Sequence, residues 1–463
     1  MKEELLALLT EHGQEHLLAF WDELEDTRRE SLAAEIREID FSTTRRVFEA
    51  RDEQVEVLKS IGRAVDPPAF RLDLRNNRFS LDRARKRGAQ ALANGEVGVI
   101  LVAGGQGTRL GFDRPKGMFP IGPVSENSLF QIHVERIVAA RRRYGKPIPL
   151  CLMTSPATDE KTRRFFDRHD RFGLREDELR IFQQGTMPAV DAQTGKVLLA
   201  RRDRVAQSPD GHGGLLRALV ASGTLDYLEA RGIESLFYLQ IDNPLVDICW
   251  PEFIGYHLLS ESELSSQVIA KRTPSDRVGN VIQIDGRLWV IEYSDLPDKV
   301  SRRRRPDGSL EIWAGSIAVH VIDVGFLRRM SGSTDALPFH VADKKVAYVD
   351  SSGNRIQPET PNAVKFERFI FDLLPLAANA IVVEVDRERC FAPLKNASGA
   401  AEDTPELARA QMVRLATERL HQAGAVVRPG VDVEISPLYA LDADELKKKI
   451  NPGTYVDEKK YFH

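Results

Sequence analysis

The stretch that decides the fold is residues 98–117, GVILVAGGQGTRLGFDRPKG. Its apolar beginning, Gly98 to Ala103, predicts a buried strand. Four glycines follow within residues 104–111, so the backbone there can approach a ligand closely and point its amides at phosphate oxygens. Arg109 and Lys116 add two cations for charge-assisted contacts. The stretch therefore predicts a strand that leads into a phosphate-binding loop.

Spacing argues against two common phosphate-binding motifs. A dinucleotide fingerprint, GxGxxG, needs a third glycine, but counting from Gly105 that place is taken by Leu110. A P-loop needs GxxxxGK followed by Ser or Thr, whereas Lys116 stands between Pro115 and Gly117. Hydride transfer and P-loop ATPase or kinase chemistry are both disfavoured. The remaining alternative, a glycine-rich turn that binds no ligand, leaves the two cations of the loop without a use.

Further apolar runs predict the rest of a sheet, and helix-like amphipathic segments separate several of them. This alternation predicts a mostly parallel sheet that is covered on both faces. The stretch Asn280–Ile322 instead predicts consecutive strands, with Asp285-Gly286 as a hairpin turn, and we expect an antiparallel insertion beside the sheet. The further apolar runs are Ile148–Met153, Leu236–Ile241, Val268–Ala270 and Ile381–Val385.

The two ends of the chain predict smaller pieces around this centre. Residues from Glu3 to about Val65 have helical spacing of apolar residues, with a break at Asp40-Phe41-Ser42. Near the C-terminus, helix-like runs cover Thr404–Ala423 and Asp442–Ile450, with short strand-like pieces between them. We predict a helical N-terminal segment over residues 1–90, a catalytic domain over 91–386 and a small C-terminal domain over 387–463.

Composition narrows the class of protein. The chain has 463 residues and a net charge of −4, so it lacks the basic field that draws proteins to nucleic acid. No apolar run approaches the roughly 20 residues that cross a bilayer. Cys151, Cys249 and Cys390 are far apart and have no CxxC spacing, and the acidic, leucine-rich start does not read as a signal peptide. We expect a cytoplasmic protein that binds neither nucleic acid nor membrane.

Asp242 is the candidate metal ligand. It follows an apolar strand and precedes Asn243-Pro244, which places its carboxylate at the carboxyl edge of the sheet. Open α/β folds bind their ligands at this edge. The alternative is that Asp242 only caps the next turn, because Asp before Asn-Pro is also ordinary turn chemistry.

The motifs taken together resemble those of a known family. LVAGGQGTRLG with PKGM is similar to the nucleotide-binding motif of the eukaryotic-type UDP-N-acetylglucosamine pyrophosphorylases, within the wider UDP-sugar pyrophosphorylase family. The resemblance covers roughly residues 98–400. It implies an α/β, Rossmann-like nucleotidyltransferase fold of GT-A type, with a mixed sheet. The other matching motifs are SLFQI (128–132), FQQG (182–185), SPDGHGG (208–214), IDNPL (241–245), IEY (291–293), NAVKFE (362–367) and PLKNA (393–397).

By this resemblance the substrates are UTP and a sugar 1-phosphate, and the products are a UDP-sugar and pyrophosphate. The triphosphate calls for cations already in place, among them Mg²⁺. The implied catalytic residues are Arg109, Lys116, Lys365 and Lys395. The implied nucleotide-binding residues are Ala103, Gly104, Gly105, Gln184, Gly211 and Asp242, of which Asp242 also binds the metal. The implied sugar-binding residues are His212, Glu292, Tyr293 and Ser316.

Alternatives without a catalytic or binding role remain for several of these side chains. Gln184 has the alternative of an exposed loop glutamine, His212 that of a packed loop histidine, and Lys365 and Lys395 those of solvated lysines. The N-acetylglucosamine group has Asn where this chain has His212, and Asn-Ala-Gly-Asn where this chain has Trp313-Ala314-Gly315-Ser316. A histidine at the former place resembles UDP-glucose pyrophosphorylases. We expect N-acetylglucosamine 1-phosphate as substrate, with glucose or galactose 1-phosphate, and then a non-catalytic UDP-sugar sensor, as alternatives.

Overall fold

A computed structural model describes residues 1–51, 56–333 and 337–463, which fold into two compact units. Residues 52–55 and 334–336, which belong to the predicted segments 1–90 and 91–386, lie outside the described residues. The domain boundaries at residues 90 and 386 stay predictions. The larger unit consists of Ser60–Gln183, Ala218–Thr334 and Leu373–His463, and the smaller one of Met1–Lys59, Gln184–Arg217 and Asp335–Asp372.

A mixed sheet forms the centre of the larger unit. All five predicted strands lie in it, and Val97–Val102, the strand before the glycine-rich loop, pairs in parallel with Leu150–Thr154 and Ser235–Gln240. These strands are buried along almost their whole length, as a sheet covered on both faces requires. The order across the sheet is Ala69–Phe70, Ala380–Glu384, Leu264–Ala270, Ala314–Asp323, Ser235–Gln240, Val97–Val102, Leu150–Thr154 and Leu179–Gln183.

The predicted antiparallel segment is confirmed as strands but was wrongly placed. Gly279–Ile284 and Arg287–Ile291 form the expected hairpin, and its turn residues Asp285 and Gly286 have φ values of 49° and 80°. The strand Ala314–Asp323, however, lies inside the sheet and runs antiparallel to both of its neighbours. Ten residues long and mostly buried, it supplies enough apolar surface for a central position. The other seven strands of the order run in one direction, so the sheet is mixed through this strand and otherwise parallel, as predicted.

Helices flank this sheet and share one apolar core with it. Phe237 and Phe253, for example, pack edge to face with ring centroids 6.0 Å apart. Among the described residues, no helix combines the length and apolarity needed to cross a bilayer. The α-helices of the larger unit before the C-terminal piece are Leu81–Asn94, Leu129–Tyr144, Asp159–Arg168, Thr224–Ala230, Pro251–Leu259, Asp298–Ser301, Val324–Ser331 and Arg387–Cys390.

The C-terminal part of the larger unit contains the two predicted helices, at Pro405–Gln422 and Ala443–Lys449, and short parallel strand pairs. The carboxylate of Glu434 is buried and accepts hydrogen bonds from the N–H groups of Val124 and Ser125, at 2.8 and 2.7 Å. The loop that follows Lys116 is thereby tied to the end of the chain. The strands are Val426–Val427 with Tyr455–Val456, and Val433–Ile435 with Lys460–Phe462.

The smaller unit packs the N-terminal helices against short antiparallel strands. Leu5, Leu32 and Ile36 from the helices share a core with Val190 and Phe366 from the strands. This confirms the predicted N-terminal helices in the described residues. Its helices are Lys2–Glu11, Asp26–Glu38, Phe41–Glu49 and Glu56–Lys59, and its strands are Thr186–Pro188, Val190–Asp191, Leu199–Arg201, Arg204–Val205, Gln207–Pro209, His340–Lys344, Tyr348–Val349, Arg355–Ile356 and Ala363–Glu367, while Leu215–Ala221 runs from this unit into the larger one.

Candidate active site

The glycine-rich loop of the larger unit begins where the strand Val97–Val102 ends. The N–H of Ala103 donates to the carbonyl of Met153 at 2.8 Å, which continues the pairing with the next strand. The hydroxyl of Ser155 donates to the carbonyl of Gly104 at 2.7 Å. The first residues of the loop are therefore fixed to the carboxyl edge of the sheet, where α/β folds bind ligands.

The two arms of this loop are joined by backbone hydrogen bonds. The N–H of Gly107 donates to the carbonyl of Arg114 at 2.9 Å, and the N–H of Lys116 donates to that of Gly105 at 3.1 Å. A Cβ at Gly107 would lie 2.7 Å from the carbonyl oxygen of Phe112, so only glycine fits there. The tip of the loop, which carries the exposed side chain of Arg109, is thus held by its own backbone.

Lys116 lies where cations and one carboxylate converge. Its Nζ donates to the carbonyl of Leu394 at 3.2 Å and lies 4.0 Å from Oδ2 of Asp242. The pKa of Lys116 is lowered, chiefly because burial disfavours the charged ammonium; Asp242 opposes this effect, and the cations of Lys395 and Arg109 add to it. Cations close enough to repel one another form a region that attracts a polyanion. We call Arg109, Lys116, Asp242 and Lys395 the Lys116 cluster.

The backbone around Asp242 and Lys395 holds these two residues in the Lys116 cluster. Asp242 follows the strand Ser235–Gln240, and its carbonyl accepts the N–H of Leu394 at 2.9 Å. The N–H of the next residue, Lys395, donates to the carbonyl of Asp403, also at 2.9 Å. Burial raises the pKa of the Asp403 carboxyl, and Lys395 opposes that rise. Asp242 therefore lies at the carboxyl edge of the sheet, where the sequence predicted it.

Asp242 is the candidate ligand for a metal ion. In the ranges 1–51, 56–333 and 337–463, no group of three or more His, Cys, Asp or Glu side chains is arranged to hold a metal. A site with a single carboxylate suits Mg²⁺, which binds oxygen ligands, keeps several waters and commonly takes its other ligands from substrate phosphates. The donor set therefore fits a magnesium ion that arrives with a triphosphate.

Two predicted sugar-binding residues of the larger unit, Glu292 and Ser316, lie next to Gly279. Gly279 pairs with Ser316 across the sheet. A Cβ at Gly279 would lie 3.9 Å both from Oε1 of Glu292 and from Cβ of Ser316. The Oγ of Ser316 accepts the N–H of Ala318 at 3.3 Å, and the side chain of Tyr293 is 49% exposed. The structure therefore brings Glu292 and Ser316 together and leaves Tyr293 at the surface.

Lys271, a buried lysine near Ser316, was not predicted from the sequence as a site residue. Lys271 follows the strand Leu264–Ala270 and donates from Nζ to Oδ1 of Asn280 at 2.5 Å. Burial lowers its pKa. Its side chain lies 3.4 Å from the position that a Cβ on Gly315 would take, next to Ser316. A lysine directly after a buried strand was the available signal, but sequence alone does not show what such a lysine faces.

In the smaller unit, Gln184 and Gly211 stand at neighbouring ends of a strand pair. The strands Thr186–Pro188 and Gln207–Pro209 are antiparallel, and the N–H of Asp210 donates to the carbonyl of Gly185 at 3.1 Å. Gln184 is only 7% exposed, so it is not a solvated loop glutamine.

Gly211 takes a backbone conformation that requires glycine. Its φ is 83°, and a Cβ there would lie 2.5 Å from the carbonyl oxygen of Arg368. Both the left-handed φ and the close approach exclude a side chain. The same carbonyl accepts the N–H of Gly213 at 2.7 Å. The turn that carries His212 is therefore fixed against the segment around Arg368.

His212 is packed and hydrogen-bonded. Its Nδ1 accepts the N–H of Ile370 at 3.1 Å, and its ring stacks on Phe369 with centroids 5.1 Å apart. Because Nδ1 accepts, the proton of the neutral imidazole is on Nε2. Packing of His212 in its loop is thus compatible with sugar binding by the same side chain, because stacking fixes the direction in which Nε2 points.

Asp210, within the quoted SPDGHGG motif, was not predicted as a site residue. Its side chain is buried, and its Oδ1 has no hydrogen-bond partner among the described residues. Burial raises the pKa of this carboxyl to about 6, and the nearby cation of Arg368 opposes the rise. A Cβ at Gly185 or Gly214 would lie 2.8 or 2.0 Å from its oxygens, so glycines surround it. Strong perturbation of a buried carboxyl is typical of functional sites.

Lys365 lies on the strand Ala363–Glu367 of the smaller unit, paired with Ala342. Its neighbours Val364 and Phe366 are buried in the core, and because side chains alternate along a strand, Lys365 points to the other face. This strand lies next to the turn that contains His212. The smaller unit thus places the strand of Lys365 beside the turn that contains Gly211 and His212, and the larger unit brings together the Lys116 cluster.

Comparison with known proteins decides the family. The family model described as UTP–glucose-1-phosphate uridylyltransferase matches residues 45–434. The chain belongs to this family. The uridylyltransferase therefore has the fold class and the type of reaction that its motifs predict, and the family implies UTP and a sugar 1-phosphate as substrates. An enzyme is thus favoured over a non-catalytic sensor.

Named relatives of the uridylyltransferase extend over nearly its whole length. It is 36% identical to the UDP-N-acetylhexosamine pyrophosphorylase-like protein 1 of Xenopus tropicalis, over 94% of this chain and 92% of that one. It is 35% identical to the UDP-N-acetylglucosamine pyrophosphorylase of Saccharomyces cerevisiae, over 95% of this chain and 96% of that one. The crystal structure of uridine diphosphate N-acetylglucosamine pyrophosphorylase from Trypanosoma brucei, in complex with inhibitor, matches with a TM-score of 0.82, 26% identity and 98% coverage of each chain.

Proposed function

We propose that this uridylyltransferase joins UTP to N-acetylglucosamine 1-phosphate, forming UDP-N-acetylglucosamine and pyrophosphate. The observation that carries the proposal of this chemistry is the Lys116 cluster, which gathers three cations and one carboxylate at the carboxyl edge of the sheet, beside the glycine-rich loop. The choice of sugar rests on the relatives in yeast and Trypanosoma brucei, whose names carry N-acetylglucosamine.

In the proposed reaction a phosphate oxygen of the sugar 1-phosphate attacks the α-phosphorus of UTP. The new P–O bond forms as the bond between the α-phosphorus and the bridging oxygen breaks, and pyrophosphate leaves on the far side with the electron pair. Position and charge neutralisation are the main requirements, so no protein nucleophile is needed. Arg109 and Lys116 are proposed to neutralise the triphosphate, and Lys365 and Lys395 to contact phosphates of substrate or product.

Mg²⁺ would bind to the carboxylate of Asp242 and would neutralise charge on the phosphates. The chain's own part is to hold that carboxylate: the carbonyl of Asp242 is tied to the N–H of Leu394 at 2.9 Å, and Lys116 lies 4.0 Å from its Oδ2. Because the ammonium of Lys116 lies so close to the carboxylate of Asp242, it offsets part of the negative charge that this carboxylate adds near a triphosphate.

Recognition of the uracil is assigned to backbone and amide groups. The buried side-chain amide of Gln184 can both donate and accept, as an edge of uracil requires. The left-handed Gly211 and the loop residues Ala103, Gly104 and Gly105 offer backbone close to a ligand. These roles follow the family resemblance and are supported by the burial of Gln184 and by the turn at Gly211, which only glycine can form.

Sugar recognition is assigned to Glu292, Tyr293, Ser316 and His212. A carboxylate such as Glu292 accepts hydrogen bonds from sugar hydroxyls. Glucose 1-phosphate is the second candidate, because His212 stands where the N-acetylglucosamine group has Asn. The stacking of His212 on Phe369 gives the imidazole a fixed direction, and a fixed donor can favour one sugar over another.

The test is pyrophosphate release from UTP and Mg²⁺ with N-acetylglucosamine, N-acetylgalactosamine, glucose and galactose 1-phosphates, each component being omitted in turn. We expect release that requires all three components and is fastest with N-acetylglucosamine 1-phosphate. A preference for glucose or galactose 1-phosphate would keep the reaction and replace the sugar. Release without added metal, after treatment with a chelator, would contradict the proposed role of Mg²⁺.

We also propose that the reaction takes place in the cytoplasm. Burial raises the pKa of the Cys151 and Cys390 thiols to about 12 each, and that of Cys249 as well. Thiols with so little thiolate react slowly, and a reducing compartment suits a chain whose cysteines are all free. Fractionation of cells that produce the protein would test this.

A further inference from the structure

The loop over residues 241–246, which contains Asp242, is held on one side by a half-buried arginine. Arg136 lies on the helix Leu129–Tyr144 and donates from one guanidinium nitrogen to the carbonyl of Pro244 at 2.6 Å and to that of Val246 at 2.8 Å. These carbonyls belong to a turn that the sheet does not pair. The later half of the loop is therefore fixed to the helix.

Asn243 fixes the same loop on its other side, to the segment that carries Lys395. Its side chain is 3% exposed. The amide nitrogen donates to the carbonyl of Cys390 at 2.7 Å, and the amide oxygen accepts the N–H of Ala392 at 3.1 Å and that of Leu245 at 3.2 Å. A single amide thus joins two chain segments about 150 residues apart through both of its polar atoms.

The bridge lies directly beside the Lys116 cluster. The N–H of Leu394, two residues after Ala392, donates to the carbonyl of Asp242 at 2.9 Å. The carbonyl of Leu394 accepts the ammonium of Lys116 at 3.2 Å. Lys395 is the next residue. The distances between the Asp242 carboxylate and these two lysines therefore depend on how segment 390–395 sits against loop 241–246.

We propose that Asn243 is a positioning residue, which sets the distance between the Asp242 carboxylate and the cations of Lys116 and Lys395 during uridylyl transfer. The proposal rests on the proposed function of the Lys116 cluster. Asn243 touches no substrate in this role; its amide holds two backbones in register. A displacement of about 1 Å in such groups can cost on the order of 10²-fold in rate, because the groups must act in one geometry.

This role predicts a loss of turnover rather than of substrate binding. When segment 390–395 shifts, the glycine-rich loop keeps its proposed contacts with UTP, but the Asp242 carboxylate and the cations of Lys116 and Lys395 no longer meet the transition state together. We therefore expect kcat to fall while KM for either substrate stays within about threefold. A residue that only stabilised the fold would lower the melting temperature and the amount of active enzyme without changing kcat per folded molecule.

The test variant is Asn243→Asp, which keeps the shape and the accepting oxygen but loses the N–H that donates to Cys390. The matched control is Asn77→Asp. Asn77 is half-buried; its amide accepts the N–H of Arg71 at 2.7 Å and donates to the carbonyl of Arg71 at 2.9 Å, so it uses both polar atoms on backbone as Asn243 does, but within one loop and away from the Lys116 cluster. Asn243→Ser, a smaller change, serves if the Asp variant does not fold.

The measurements are kcat and KM for both substrates, the melting temperature, and the dissociation constant of UTP by calorimetry without sugar phosphate or metal. We expect Asn243→Asp to lower kcat about 10- to 100-fold with UTP binding unchanged within about threefold, and Asn77→Asp to leave kcat as in the unaltered enzyme. Unchanged kcat in the folded Asn243 variants would overturn the inference, and so would a loss carried by KM or by UTP affinity.

The unaltered enzyme separates this inference from the proposed function. All variants are assayed with the sugar 1-phosphate that the unaltered enzyme uses fastest, so a change of preferred sugar does not affect the result. Absence of pyrophosphate release by the unaltered enzyme with every sugar would refute the proposed function and the inference with it. Normal release by the unaltered enzyme, with Asn243 variants as active per folded molecule, would refute the inference alone.

Discussion

The Lys116 cluster and the turn around His212 hold their side chains in different ways. The cluster draws on segments that are far apart in the chain, near residues 109–116, 242 and 394–395, and backbone hydrogen bonds join them. The His212 turn also joins distant segments, 210–214 and 368–371, by backbone hydrogen bonds, but the direction of the His212 ring is set by its stacking on Phe369. The first arrangement depends on the sheet, and the second on the packing of side chains.

Under the proposed function, this difference separates the groups that act on the phosphates from the group that selects the sugar. Groups that neutralise phosphates must keep their distances to a fraction of an ångström, and backbone at the edge of a sheet provides that. A ring that contacts a sugar is fixed by its neighbours and can be exchanged without moving the backbone. We therefore expect substitutions in the Lys116 cluster to reduce turnover with every sugar, and substitutions at His212 to change which sugar is preferred.

The largest effect is expected for Lys116→Ala. Loss of the ammonium leaves Asp242 without its closest cation and removes a positive charge that would stabilise the leaving pyrophosphate. We therefore expect kcat to fall by about 10² to 10³, with a normal far-UV circular dichroism spectrum. The control is Lys161→Ala, which removes an exposed lysine from the helix Asp159–Arg168. If turnover by Lys116→Ala stays within about twofold of that of the unaltered enzyme, Lys116 is excluded from the mechanism.

A somewhat smaller loss is expected for Asp242→Asn. The amide keeps the shape of the carboxylate but gives up its charge, so the Mg²⁺ concentration for half-maximal rate should rise and turnover should fall on the order of 10²-fold. Rates measured over a series of Mg²⁺ concentrations test this. If the half-maximal concentration does not move, Asp242 only caps its turn, the alternative left open by the sequence.

A change of selectivity with little change in overall rate is expected for His212→Asn. The imidazole that stacks on Phe369 is replaced by the residue found in the N-acetylglucosamine group, so the ratio of kcat/KM for N-acetylglucosamine 1-phosphate to that for glucose 1-phosphate should rise about tenfold. The rates with the two sugars are measured side by side. An equal loss with both sugars would place His212 in the structure of the turn rather than in selectivity.

The smallest effect is on stability and comes from Asp210→Asn. Burial raises the pKa of Asp210 from 3.8 to about 6, so the folded protein binds a proton more tightly than the unfolded chain. Stability from this group is present below about pH 4, is lost between about pH 4 and 6, and stays lost above.

The uncharged Asn avoids that loss. Relative to the unaltered enzyme, Asp210→Asn should gain stability as the pH rises from 4 to 7, by about 1–3 kcal/mol. Melting temperatures of both proteins at a series of pH values give the difference. A difference that does not change with pH would show that the carboxyl of Asp210 does not take up its proton within this window.

Sequence patterns were most informative where the physics is local. The apolar run before the glycine-rich loop, the N-terminal helices and the hairpin at Asp285-Gly286 follow from spacing and turn preference, and all three are present in the structure. The place of Ala314–Asp323 in the middle of the sheet was missed, because the pattern of a strand does not name its partners. Likewise, the motifs named Asp242 and Lys395 but not the buried amide of Asn243 between their segments.

The sequence by itself determined the glycine-rich loop, the strand that precedes it and, through the order of its motifs, the family of this enzyme, because these depend on residue types at short spacing. Only the tertiary structure decided which distant groups meet. Segments far apart in the chain produce the convergence of Lys116, Asp242 and Lys395, the bridge made by Asn243 and the burial of Asp210, whose Oδ1 has no hydrogen-bond partner in the part of the chain that the structure describes. Their distances follow from strand order and burial, which short-range patterns do not encode.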